Sequence, residues 1–92
     1  MIRSFKDKGL RRFAERGDAS KLSVQKADRI TRMLTRLDVA TTPREMNLPG
    51  WRFHELTGDR KGVFSITVSD AWRITFRWDG VDAVDVDLED YH

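Results

Sequence analysis

The hydrophobic period changes once along this chain, and the change divides it into a helical front and a sheet-forming back. Val24, Ala27, Ile30, Leu34 and Leu37 recur at three- and four-residue spacing, which puts them on one face of a helix. After Trp51 that spacing gives way to short runs. Residues 51–56, 63–68, 72–78 and 81–88 are rich in aromatic and β-branched side chains, the composition of strands. A chain of 92 residues can bury one modest core and not two, so helices and strands must share it. The expected architecture is a single domain over residues 1–92, of α+β class. A short N-terminal strand and two N-terminal helices pack on one face of a mostly antiparallel sheet.

The boundaries follow from local signals. Residues 2–5 are expected to form the short first strand. A helix is expected from about Asp7 to Arg16, burying Leu10, Phe13 and Ala14 and stopped by Gly17. Ser23 is the expected N-cap of a second helix that runs to about Asp38. At about 100° per residue, Arg29, Arg32 and Arg36 gather opposite its apolar stripe as a basic solvent band. Residues 41–50 hold both prolines and read as a connector.

Burial also selects a register for the last hairpin. A two-residue turn at Asp79-Gly80 would set Ile74 against Asp85 and Trp72 against Asp87, burying acids on the apolar face. One more loop residue sets Phe76 against Val84, Ile74 against Val86 and Trp72 against Leu88. A one-residue slip turns every side chain over, so a three-residue loop or a bulge is expected at Asp79-Gly80-Val81. In that register Arg73 faces Asp87. A three-residue turn at Ser69-Asp70-Ala71 likewise aligns Val68 with Trp72 and Ile66 with Ile74. The other face of the sheet then carries Ser65, Thr67, Arg73, Thr75 and Arg77.

Charge is polarised along the chain. Residues 1–36 carry eleven Lys/Arg against four Asp/Glu, while residues 80–92 carry five acids and no base. A basic half suits a polyanionic partner, because neutralising phosphates releases counterions. Solvation of exposed helix faces is the plainer account of the same residues. There is no cysteine, which excludes disulfides and thiolate zinc sites. No apolar stretch approaches membrane-spanning length and the first residues do not read as a signal peptide, so a cytoplasmic location is expected. Two histidines far apart in sequence have no spacing typical of a metal site, and there is no phosphate-binding glycine-rich loop.

The residues that suit chemistry are His54 and the group Asp90, Tyr91 and His92. Cleaving RNA by proton transfer needs a base for the 2′-hydroxyl, an acid for the leaving 5′-oxygen and positive charge beside the phosphate. Histidine serves the first two roles near neutral pH, and arginine the third. A carboxylate can orient an imidazole, and a tyrosine ring can stack on an unpaired base. Alternation puts Arg52 and His54 on one side of their strand, without deciding whether that side holds Arg73. Each residue also has a structural account. A strand histidine is commonly half-buried without a catalytic role. Arg73 can form a cross-strand ion pair, and Asp85, Asp87 and Glu89 alternate as the wet side of an edge strand. Trp51, Trp72 and Trp78 read as core rather than as stacking platforms.

Five segments in order carry a resemblance. They are Met1-Ile2-Arg3-Ser4-Phe5 with the basic Lys6-Asp7-Lys8-Gly9-Leu10, then His54-Glu55-Leu56-Thr57-Gly58-Asp59-Arg60-Lys61-Gly62, then Ser65-Ile66-Thr67-Val68, Trp72-Arg73-Ile74-Thr75-Phe76 and Asp90-Tyr91-His92. Together they resemble the HigB toxins of the RelE superfamily, the toxin halves of bacterial type II toxin–antitoxin pairs. The resemblance implies a RelE-like fold and a ribosome-dependent endoribonuclease that cuts mRNA in the A site without metal or other cofactor. It implies His54, Asp90, Tyr91 and His92 as catalytic residues and Arg73 as the phosphate-contacting arginine. It also assigns Lys6, Lys8, Arg11, Arg12, Arg29, Arg32, Arg36, Arg52 and Arg60 to RNA and ribosome binding. The implied partners are the 70S ribosome with its mRNA and small-subunit rRNA, and a HigA-like helix-turn-helix antitoxin through which operator DNA would be met indirectly. The chain departs from the family pattern at Thr57, where relatives often carry lysine; Arg52, Arg60 or Lys61 would then supply that charge. Two other readings are a non-catalytic RNA- or ribosome-binding module and an antitoxin-dependent co-repressor. Loss of cleavage with retained ribosome binding on replacing His92 separates the first of these from an enzyme.

Overall fold

In the computed structural model, which describes residues 1–90, helix α1 spans Lys8–Arg16. The Asp7 carboxylate accepts the Leu10 N–H at 2.7 Å and caps its start. Gly17 ends it with φ 69°, a left-handed conformation that costs glycine no Cβ clash. The buried residues are Gly9 and Leu10, with Phe13 half-buried and Ala14 exposed, so Ala14 leaves the expected stripe. At the start of the helix the backbone makes a close approach. Gly9 lies against the Lys21 carbonyl in the 3₁₀ turn Ala19–Lys21, where an added Cβ would stand 2.1 Å from the oxygen.

Helix α2 spans Ala27–Val39, starting later than a Ser23 cap would place it. Lys26 precedes its first turn without a side-chain cap, and Val24 reaches the core from outside the helix. Ile30, Met33, Leu34 and Leu37 are its buried residues. Met33 belongs to the same face although the spacing argument passed over it.

The sheet contains β1 (His54–Glu55), β2 (Val63–Thr67), β3 (Trp72–Asp79) and β4 (Asp82–Asp90), antiparallel and in sequence order. The strand expected over 51–56 is cut to two residues. Arg52 has φ 50°, which interrupts extension, so the expected alternation of Arg52 with His54 does not hold. Trp51 stays joined to the sheet, its carbonyl accepting the Thr67 N–H at 2.7 Å. Residues 2–5 make two isolated parallel bridges to β4, Ile2 with Ala83 and Phe5 with Val86, in place of a continuous first strand.

The last hairpin adopts neither register weighed from the sequence. Asp79 faces Asp82 across a two-residue loop, Gly80-Val81, and Arg77 faces Val84. The register then shifts between Thr75 and Arg77, where Asp85 has φ 53°, the signature of a bulge. Beyond it Ile74 faces Leu88, Arg73 faces Glu89 and Trp72 faces Asp90. The expected pairs Phe76–Val84, Ile74–Val86 and Trp72–Leu88 are corrected accordingly, as is Arg73–Asp87. Without the shift Ile74 would face Asp87. An extra residue in the strand, not in the loop, restores an apolar partner. The preceding turn is as expected, with Ile66 facing Ile74 and the Val68 N–H donating to Trp72 at 2.9 Å.

Helices and sheet meet in one core around Leu10, Ile30, Met33, Leu37, Ile66, Ile74, Phe76 and Val86. Trp51 is buried in it, and Trp72 and Trp78 pack against it half-buried. The helices thus cover one face of the sheet and leave the other to polar side chains.

Candidate functional site

Cross-strand pairing sets His54, Ser65, Thr75 and Asp87 in one row of the polar face, and Thr67, Arg73 and Glu89 in the next. Directly opposed residues project from the same side of a sheet. His54 therefore shares a face with Arg73, which periodicity left open. Two strand spacings separate the backbones of His54 and Thr75, roughly 10 Å. The His54 ring is exposed, and its Nδ1 lies 3.0 Å from the Arg52 carbonyl oxygen. A carbonyl only accepts, so Nδ1 carries the proton and Nε2 of the neutral ring keeps its lone pair for solvent or substrate.

Glu89 is the hub of this face. Arg60 donates to it twice, Nη1 to Oε1 at 2.7 Å and Nη2 to Oε2 at 2.5 Å. The Thr75 hydroxyl donates to Oε2 at 2.6 Å, and Arg73 Nη2 to Oε1 at 3.3 Å. The Arg60 hydrogen bonds outweigh burial and hold the Glu89 carboxyl down to about 2, while Glu89 raises Arg60 above the usual arginine range. Burial pushes neighbouring Asp87 up. Glu89 is thus not the wet side of an edge strand. Arg60 reaches across from the turn Gly58–Arg60 to meet it, and beneath this network Ser65 and Thr75 are each only 1% exposed. The Ser65 hydroxyl, buried between His54 and Thr75 in the row, makes no hydrogen bond among the described residues. Sequence reading missed Glu89 because its pairing with Arg73 exists only in the shifted register. The one local signal was an acid beside the group at 90–92.

The remaining candidates separate. Lys6, Arg60, Arg77, Asp85 and Glu89 line a small cavity of about 70 Å³ on the polar face. Asp90 is exposed and faces Trp72, so strand alternation turns it to the opposite side from Glu89. Tyr91 and His92 lie outside the described residues. Lys8, Arg11 and Arg12 line an open cleft on the far side with Arg16 and Lys21. Arg11 pairs there with Glu15 at 3.2 Å and Arg12 with Asp18 at 2.7 Å.

The expected solvent band on α2 is only partly solvent. Arg29 is half-buried, its Nη2 donating to the carbonyls of Gly50 and Thr67 at 2.9 Å each. It ties the connector to β2, with one arm of its guanidinium turned to backbone carbonyls. Arg36 donates to the Glu45 carbonyl at 3.1 Å, and Arg32 is exposed. Arg52 is exposed in its left-handed turn. Arg60 is committed to Glu89 by two hydrogen bonds.

Two helices over an antiparallel sheet, with arginine and histidine on the uncovered face, make a framework consistent with a RelE-like toxin. A family model described as the RelE-like toxin of type II toxin–antitoxin system HigB matches residues 3–92. The chain is 46% identical over 92 residues to the Endoribonuclease HigB of Proteus vulgaris, covering 100% of both chains. It is 38% identical over 86 residues to Toxin HigB-1 of Vibrio cholerae serotype O1, covering 88% of each. The chain belongs to the HigB-like toxin family.

Proposed function

We propose that this toxin is an endoribonuclease that cuts mRNA in the ribosomal A site, without metal, by histidine acid–base catalysis. The observation that carries the reading is the convergence of His54, with its Nε2 lone pair available, and Arg73 on one sheet face. The name of the Proteus vulgaris relative supports the reaction class. His54 Nε2 takes the proton from the 2′-hydroxyl, and His92 protonates the leaving 5′-oxygen. Asp90, which leaves β4 on the other side from Arg73, orients the His92 imidazole, Tyr91 holds the splayed nucleotide, and Arg73 offsets charge developing on the phosphate. Glu89 acts through Arg73 as a positioning residue.

Outside the site, Lys6 and Arg52 beside the polar face, and Lys8, Arg11, Arg12 and Arg32 on the helical side, meet the 70S ribosome and its small-subunit rRNA. A HigA-like helix-turn-helix antitoxin inhibits the toxin and supplies any contact with operator DNA. The test is cleavage of one defined mRNA with an occupied P site, with and without ribosomes, in excess chelator, for wild type and His92→Ala. Cutting that needs ribosomes, survives chelator and disappears in the variant is expected. Ribosome binding without any cutting would refute the reading.

A further inference from the structure

Between the 3₁₀ turn Pro43–Met46 and the edge strand β1 lies a groove of about 520 Å³, lined by Arg44, Asn47, Phe53, His54, Glu55 and Phe64 among others. Phe53 and Phe64 stack with centroids 5.7 Å apart and planes 6° apart. Both are half-buried, and Phe64 stacks in turn on the buried Phe76 at 5.7 Å. The rings are therefore held by the core while part of their surface stays open. Arg44 and Asn47 are exposed, and among the described residues their side chains make no hydrogen bond or ion pair. Arg29, Arg36 and Arg60 differ in this respect, each being occupied by a protein acceptor. Glu55 is directed to the Gly62 N–H at 3.0 Å, so its charge is partly spent on the loop.

Aromatic surface, an amide with unused donors and acceptor, and an uncommitted guanidinium are the groups that bind an unpaired nucleotide. The ring stacks the base, the amide reads its edge, and arginine meets phosphate. His54 lines the same groove. We infer that this groove, which wraps the β1 edge between the His54 and Phe64 sides of the sheet, is a nucleotide subsite flanking the cleavage point, with Phe53, backed by Phe64, stacking one flanking base, Asn47 reading it and Arg44 holding its phosphate. The assignment rests on the endoribonuclease reading and adds to it the element that selects where the message is cut. A protein segment is the other possible occupant. Single-stranded RNA is favoured by the free cation and by the shared histidine.

The experiment maps cut sites on ribosome-bound messages that differ only in the nucleotides flanking the cut. It compares wild type with Asn47→Ala, Arg44→Ala and Phe53→Leu, the last retaining apolar bulk for the core. Wild type is expected to prefer one base at one flanking position. Asn47→Ala should flatten that preference by about tenfold. Phe53→Leu should raise KM about tenfold at all sites with little change in kcat, and Arg44→Ala should raise it roughly three- to tenfold. The two exposed positions keep the test valid if Phe53→Leu unfolds. Base preference and KM unchanged in all three variants would overturn the subsite, as would intact cleavage with weakened antitoxin inhibition, which marks a protein-binding groove. Absence of cutting by wild type would instead overturn the endoribonuclease reading, and the subsite with it.

Discussion

Glu89 shows how one carboxylate can organise a site. Its four contacts come from a turn, a neighbouring strand and a facing arginine, and its side chain is 18% exposed. Glu89→Ala would take from Arg60 and Arg73 the carboxylate they share, and roughly 1–3 kcal/mol of stability should be lost, measured by urea unfolding. Glu89→Gln keeps the shape and loses the charge. It should lower kcat about tenfold through a misplaced Arg73, while ribosome affinity stays near wild type. Acid titration gives an independent check. The Glu89 carboxyl is held below its ordinary 4.5, so its contribution is complete above that pH and is lost as pH falls from 4.5 towards 2. In Glu89→Gln that segment of the stability curve should flatten. Asp87 has the opposite sign, because burial favours its neutral form; Asp87→Asn should raise stability at neutral pH. Gly9→Ala should cost about 1–3 kcal/mol by forcing α1 away from the Lys21 carbonyl, seen as a lower unfolding midpoint.

At the scale of elements, β4 decides what the site contains. Its bulge at Asp85 lets one strand satisfy both a two-residue turn at Gly80-Val81 and an apolar partner for Ile74. The Ser4 hydroxyl accepts the Asp85 N–H at 2.8 Å, so the N-terminal segment supports the distortion from the sheet edge. A β-branched residue at φ 53° is strained by roughly 1–2 kcal/mol. Asp85→Val should therefore destabilise by about that amount and Asp85→Gly should not, as thermal unfolding would report. Because Glu89 lies beyond the bulge, Asp85→Val should also reduce cleavage, whereas an equally destabilising change in α1 should not. Helix α2, apart from its start, and the hairpin were thus legible to different depths. The helix could be read from spacing within one segment. The hairpin depended on two strands and a third edge, and an argument confined to loop length put the irregularity in the wrong place.

Over the whole molecule, the basic first third does not spread evenly. Much of it is consumed internally, by Arg29 on backbone carbonyls and by Arg12 on Asp18. What remains gathers around the cleft beside α1, at Lys8, Arg11, Arg16 and Lys21, and around the polar face of the sheet. Ribosome affinity should fall steeply with salt, and Lys8→Glu with Lys21→Glu should make that slope shallower by about one to two charges, measured by sedimentation across a salt series. Sequence by itself determined the α+β order, the ends of α1 and the 69–71 turn, because caps, spacing and short loops act between near neighbours. It also marked His54 and Arg73 as candidates by residue chemistry and family likeness. Only the tertiary structure decided that these two share a face, that Arg29 meets two backbone carbonyls and that Arg60 and Glu89, 29 residues apart in sequence, pair on the polar side of the sheet. Such pairs depend on register and on chain segments meeting in space, and a shift of one residue in a strand reassigns every one of them.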